Sequence, residues 1–284
     1  MQNETCSKTA LATAYIRAAH QLLDEKPLLL TDPVALPLLG SRATETILGG
    51  LARHQSPEGK SLRAHIVLRA RFTEDRLEAA VAKGVTRYIV IGAGFDSFAL
   101  RRPSWARTLK IIEVDHPATQ SEKRDRIAKS GLSVPENLIF APADFEHENL
   151  SEVLARCSIG PDEPAFFSWL GVSMYLEDAA IDATLHTIAT FAPGSEVSLT
   201  FRQPLDEASS KLAARVSDLG EPFISLFTPG EIDAKLRNAG FSGIDFLTPE
   251  KTESLYFVPL RTDLPVPKQT SILCAAVRNR LRAE

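Results

Sequence analysis

The sequence predicts an α/β protein built on one open, mostly parallel sheet with helices on both faces. Three observations carry that expectation. Short apolar runs rich in β-branched and aromatic residues recur at 87–91, 110–114, 137–141, 165–170 and 195–201. Such near-continuous runs suit strands buried on both faces. Stretches with helical spacing fill the intervals at 117–130, 148–157 and 177–191, an alternation that builds parallel crossovers. The first run also ends abruptly in Gly92-Ala93-Gly94, where side chains vanish and the backbone can turn tightly.

Bulk properties bound the answer. A chain of 284 residues, 44% hydrophobic and 24% charged, can bury a full core as one domain with elaborations. Three parts are expected: a helical cap over 1–80, a core over 81–201, and a lid segment with edge strands over 202–284. A net charge of -4 and a pI near 5.9 give no electrostatic attraction to nucleic acid or an anionic membrane. Cys6, Cys157 and Cys274 share no metal-like spacing and leave an odd thiol under any pairing, which fits a reduced, cytoplasmic setting. The first residues lack the apolar stretch of a signal peptide. No apolar run approaches the roughly 20 residues that span a bilayer.

Taken in order, Thr9 to Asp24 places Leu11, Ala14, Tyr15, Ala18 and Leu22 on one helical face. Pro27, Pro33 and Pro37 then interrupt the chain, with Asp32 as helix cap and Pro33 at the first helical position. Gly49 to Ser61, punctuated by glycine and serine, reads as a mobile loop. Ser61 to Lys83 is a long helix stopped by Gly84. Near the end, Thr228-Pro-Gly-Glu231 has capping-box spacing, and its helix closes at Gly240. Phe241 to Phe246 and Ser271 to Val277 read as an antiparallel hairpin on the sheet edge, joined by a proline-rich loop.

The chemistry sits at the glycines. Some twenty residues past them, the strand 110–114 ends in Asp115. Strand, glycine turn, helix, strand, acid is the order in which open α/β sheets hold the ribose of a nucleotide-like cofactor. A carboxylate there can accept from both ribose hydroxyls, and it also suits the cap of the helix at Pro117. A pyrophosphate binder wants a third small residue for close packing beside the helix N-terminus. Here the loop continues Phe95-Asp96-Ser97. An acid in that loop repels pyrophosphate and suits the cationic end of an amino-acid-like ligand. S-adenosylmethionine offers an ammonium, a sulfonium and a ribose without phosphate, so the loop favours it over NAD.

The stretch Gly92-Ala-Gly-Phe-Asp-Ser-Phe-Ala-Leu-Arg101, with Glu113-Val-Asp-His-Pro117 and Lys123-Arg124, resembles the leucine carboxyl methyltransferase family. It is most similar to the bacterial S-adenosylmethionine-dependent O-methyltransferase-like branch. Arg69-Ala-Arg-Phe-Thr-Glu-Asp75 and Asp32-Pro-Val-Ala35 match ahead of the glycines; Ala143-Asp-Phe145 and Trp169-Leu-Gly-Val-Ser-Met-Tyr-Leu176 match behind them. The resemblance implies a Rossmann-like class I methyltransferase fold of seven strands, with the N-terminal helices as a lid. It implies that Arg69 holds the methionine carboxylate, and that Gly92, Ala93 and Gly94 let the backbone pass the cofactor. Asp96 would sit near the amino group, Asp115 on the ribose with His116 beside it, and Asp144 and Phe145 at the adenine. Tyr175 would lie near the transferred methyl. One position departs, because Leu170 stands where the family usually carries a glutamate facing the methyl-transfer region.

The implied reaction moves a methyl group onto an oxygen of a small-molecule acceptor. A carboxylate acceptor is ionised at neutral pH and needs only alignment and desolvation; a hydroxyl needs a base. Two rivals stand beside this reading, an NAD-dependent oxidoreductase and a non-catalytic relic of the fold. No cluster has metal-ligand spacing, and no Gly-x-Ser-x-Gly nucleophile elbow is present.

Overall fold

A computed structural model describes residues 5–145, 147–204 and 207–278, apart from the side chains of 207–209, 211, 212 and 215. The strands are β1 (Arg87–Ile91), β2 (Lys110–Asp115), β3 (Leu138–Pro142), β4 (Phe166–Trp169), β5 (Glu196–Thr200), β6 (Phe241–Phe246) and β7 (Ile272–Val277). They form one sheet in the order β3-β2-β1-β4-β5-β7-β6. The pairings from β3 through β5 are parallel, and β7 runs antiparallel to both β5 and β6.

β1 lies between β2 and β4, with Ile89 opposite both Ile112 and Phe167. The chain works outward from β1 to β3, then returns to start the other half at β4. Ligands in open α/β sheets bind at the carboxyl ends of the strands on either side of such a switch.

Successive side chains of a strand point to opposite faces, and the two faces feed separate cores. Ile89, Ile91, Ile112, Val114, Phe167 and Trp169 join one core, covered by α8 (Leu150–Arg156), α9 (Asp178–Ala189) and α11 (Pro229–Ala239). Tyr88, Val90, Ile111 and Phe166 join the other. That second core is covered by α5 (Pro57–Ala82), which buries Ala64, Val67, Leu68, Phe72 and Leu77. A third apolar cluster packs α1 (Lys8–Leu23), α2 (Ala35–Leu39) and α3 (Ala43–Gly49) around Phe95 and Ile127. Ile127 belongs to α7 (Pro117–Ser130), so the cap is fused to the sheet layer. The described helices also include α4 (Leu51–Gln55), α6 (Phe98–Arg101) and α10 (Glu207–Asp218).

Three sequence expectations change. The stretch 49–61 is helical rather than a loop: α4 occupies 51–55, and Ser56 accepts from Gly59 N at 3.1 Å to start α5 at Pro57. Asp32 does not head a helix at Pro33; α2 begins at Ala35, while Asp32 holds the preceding turn through Val34 N at 3.2 Å. The link between β6 and β7 contains helical turns from Pro249 to Leu260, capped by Thr248. Tyr256 and Phe257 there are buried in the second core, a burial that an open loop would not provide. The β6–β7 pair is antiparallel as expected, with β7 on its inner side.

Candidate functional site

β1 gives way to Gly92, whose N–H and that of Ala93 both donate to the Val114 carbonyl at 2.8 and 3.1 Å. Gly92 and Gly94 have φ of 68° and 51°, a left-handed conformation that glycine takes without strain. Space demands glycine as well. A Cβ on Gly92 would lie 2.2 Å from Val172 Cγ2, and one on Gly94 would lie 3.1 Å from Ala10 Cβ on α1.

Asp115 ends β2 and faces this turn. One carboxylate oxygen accepts from Gly94 N–H, and the other from His116 N–H at 2.6 Å. Burial pushes its carboxyl up, while those two backbone donors hold it down. Each oxygen keeps lone-pair capacity for a ligand hydroxyl. His116 spends Nδ1 on Ala118 N–H at 3.3 Å, so its ring caps α7.

Ala143 N–H donates to the Asp115 carbonyl at 2.9 Å, which carries the register one strand further. Asp144 follows immediately. Its carbonyl accepts from His147 and Glu148 N–H, both at 2.9 Å, and it lies partly exposed beside Phe145. Phe145 packs against the first core.

From the opposite side, α5 presents Arg69. Its guanidinium passes so close to Gly171 that a Cβ there would lie 2.6 Å from Nη1. Burial lowers the Arg69 pKa to about 10, with Tyr175 and Asp96 opposing and Arg17 adding to the fall; the group stays cationic at neutral pH. None of the ion pairs among the described residues uses it. Asp96 accepts from Phe98 N–H at 2.8 Å. Leu170 leaves β4 just before Gly171 and is partly buried.

Tyr175 sits in a short 3-10 turn, Ser173–Tyr175. Its ring centroid is 5.6 Å from that of Phe223, and burial raises its pKa. His65, one helical turn before Arg69, is driven down to about 3 by burial and by the charges of Arg69 and Arg202.

The loops after β1, β2, β3 and β4 thus carry 92–96, 115–116, 144–145 and 170–175 to the carboxyl ends of four adjacent strands. All the sequence-predicted site residues lie there or, for Arg69, on the helix facing it.

Sequence reasoning missed Glu221. It accepts from Ser7 Oγ at 3.1 Å, Lys8 N–H at 2.9 Å and Thr9 Oγ1. This binds the start of α1 to the segment 221–227. Ile224 and Ser225 of that segment donate backbone N–H groups to the Met174 carbonyl at 2.7 and 3.2 Å. Arg202 lies 5.0 Å over the Phe223 ring. Glu113, on β2, is buried against Lys123 Nζ at 2.5 Å. No group of three His, Cys, Asp or Glu among the described residues is placed to hold a metal ion. No described helix is long and apolar enough to cross a membrane.

The leucine carboxyl methyltransferase family model matches residues 10–189, more than half of the chain. YktD of Bacillus subtilis, a proposed S-adenosyl-L-methionine-dependent methyltransferase, is 27% identical over 287 residues, covering 90% of this chain and 93% of its own length. A Parafrankia protein of the same description is 29% identical over 234 residues, 78% of this chain and 71% of its own. Among solved structures, a DUF574 family protein from Streptomyces avermitilis superposes with a TM-score of 0.59 at 15% identity, over 96% of this chain and 97% of that one. A proposed methyltransferase from Thermobifida fusca gives 0.55 at 19% identity, over 85% and 92%. Those structures share the Rossmann-like sheet. The chain belongs to the leucine carboxyl methyltransferase family and is an S-adenosylmethionine-dependent methyltransferase.

Proposed function

We propose that this methyltransferase acts on an oxygen of a small molecule, with a carboxylate as the acceptor its site suits best. The donor set fits S-adenosylmethionine part by part. Asp115, already fixed by two backbone donors, would take the ribose hydroxyls. Arg69 would take the methionine carboxylate, and Asp96 would face the ammonium. Gly92, Ala93 and Gly94 would give backbone access, Asp144 would accept from the adenine amine, and Phe145 would lie beside the ring. His116 and Leu170 would border the cofactor without donating a charge. When bound, the cofactor supplies a methyl group on a positively charged sulfur.

One observation carries the reading: a fixed acid at the switch point stands opposite an arginine that pairs with no described carboxylate. An NAD site has no use for Asp96 beside its phosphates. The preference for a carboxylate follows from what surrounds Tyr175. His65, at about 3, is too weak a base to take a proton at neutral pH. Tyr175 is held in its protonated form by burial, so it can donate a hydrogen bond to the acceptor but not ionise it. An acceptor already ionised needs neither, and Arg202, 5.0 Å over the Phe223 ring that packs on Tyr175, would provide a cationic setting for it. Leu170 adds apolar surface where the family resemblance implies a glutamate, which would aid desolvation of the reacting oxygen.

The test incubates the chain with S-adenosylmethionine and a panel of small carboxylic acids and alcohols, following S-adenosylhomocysteine release. Methyl esters, recognised by cleavage with mild alkali, are the expected products. Alkali-stable ethers would move the assignment to a hydroxyl acceptor. Cofactor binding without turnover on any member would favour a non-catalytic binding protein.

A further inference from the structure

The N-terminal cap does more than roof the site: a buried ionic cluster ties it to the loop that carries Asp96. Asp32 is wholly buried. It accepts from Ser97 Oγ at 2.5 Å and lies 3.1 Å from Arg17 Nε and 3.6 Å from Arg101 Nε. Arg101 is itself clamped by Glu74 of α5. Arg17, on α1 and nearly as buried, donates to the Phe95 carbonyl and holds Nη1 3.8 Å from Asp96 Oδ2.

Three of these contacts land on residues 95–97: Asp32 on Ser97, and Arg17 on the Phe95 carbonyl and the Asp96 carboxylate. The loop's own backbone adds Asp96 N–H to the Ala93 carbonyl and Phe98 N–H to one Asp96 carboxylate oxygen, both at 2.8 Å, and leaves the other oxygen to Arg17. For stability alone the cluster is a poor solution. Removing charged groups from water is costly, and apolar residues of similar volume commonly hold a helix in place at least as well. What a buried charge network does provide is a single geometry. Arg17 spans the Phe95 carbonyl on one side and the Asp96 carboxylate on the other, so moving either moves the acid.

We infer that Arg17 and Asp32 are positioning residues that fix the Asp96 carboxylate for the amino-acid end of the cofactor. This rests on the cofactor placement proposed above. Arg17 also partly offsets the Asp96 charge, keeping that acid from pairing with Arg69. The ammonium and carboxylate of the ligand then meet opposite charges held apart from each other.

Two ligands separate positioning from general support. S-adenosylhomocysteine carries the amino-acid end; 5′-methylthioadenosine has the same adenosine and thioether without it. Titration calorimetry of the full chain, its Ser97→Ala variant, its Arg17→Met variant and its Asp32→Asn variant compares them. In each folded variant, S-adenosylhomocysteine is expected to bind about tenfold or more weakly, the scale of one lost charged hydrogen bond. Affinity for 5′-methylthioadenosine should change less than about twofold. Equal loss for both ligands, or no loss for either, overturns the inference. Ser97→Ala removes only a hydroxyl and leaves both ions paired, so it decides the matter if the charge variants do not fold. Failure of the wild-type chain to bind S-adenosylhomocysteine would instead strike the cofactor placement itself.

Discussion

Asp115 holds its place through two backbone hydrogen bonds, and that preorganisation is what gives a single carboxylate leverage on the cofactor. Asp115→Ala is expected to weaken S-adenosylhomocysteine binding by about 1.5–3 kcal/mol, the range for a hydrogen bond to a charged group. Calorimetry on the folded variant checks it, and unchanged affinity would remove Asp115 from the site. His65 gives a second prediction, on stability. It titrates near 6.5 when unfolded and about 3 in the folded chain. Between those values only the unfolded chain holds the proton, so stability is fully present above about 6.5 and falls as pH drops toward 3. His65→Gln should flatten that part of the curve, measured by urea unfolding at a series of pH values. A variant as acid-sensitive as the wild type would refute it. At this scale the sequence was readable where spacing is short. Gly92, Gly94 and Asp115 lie within one strand-helix-strand unit. Asp32 and Ser97 are 65 residues apart, and Glu221 meets Thr9 across 212. No local pattern links such pairs.

At the scale of elements, the cap departs from its sequence expectation where helices follow one another closely. Gly49-Gly50 and Ser56-Pro57 look like a linker, yet Gly50 ends α3 through its N–H to the Ile47 carbonyl at 3.1 Å and Ser56 starts α5. The punctuation was seen correctly; what it separates is three helices rather than a helix and a loop. Likewise, the proline-rich link to β7 turns helical because Pro249 and Pro259 both stand at first-turn positions, where a missing N–H does no harm. The lid segment expected at the start of 202–284 gains a concrete joint in Glu221, which serves the orphan donors at the start of α1. Glu221→Ala should speed amide exchange in 8–12 and 222–227 while leaving β1 and β4 protected, as read by mass spectrometry. Unchanged exchange at both segments would mean that apolar packing, not this carboxylate, joins them.

The whole molecule rests on a sheet whose two faces feed different cores, and the pair Glu113–Lys123 crosses from β2 to α7 within that packing. Lys123 Nζ lies 2.5 Å from the Glu113 carboxylate, and both side chains are about 1% exposed. Glu113→Gln leaves a buried ammonium without its counter-charge and should cost about 3–5 kcal/mol of global stability, visible as a lowered urea midpoint with an unchanged m-value. A loss under about 1 kcal/mol would show that water reaches the pair. Fold class was legible because periodicity and element order are properties of the chain alone. Strand order was not legible, since nothing in 241–246 or 272–277 says which of them lies inside.

β7 has a further consequence, for the timing of assembly. Chains emerge from the ribosome N-terminal end first. The cap, the glycine turn and the β1–β5 half, including every proposed cofactor contact, can therefore gather while the later part is still being made. β6 cannot join them, because its only neighbour in the sheet is β7 and β7 comes last of the seven. Until residues 272–277 arrive, β5 presents an open row of backbone donors and acceptors, a template for pairing with a wrong strand. The nascent protein would hold a nearly formed site beside an unfinished edge, and the final strand acts as the seal rather than the trim.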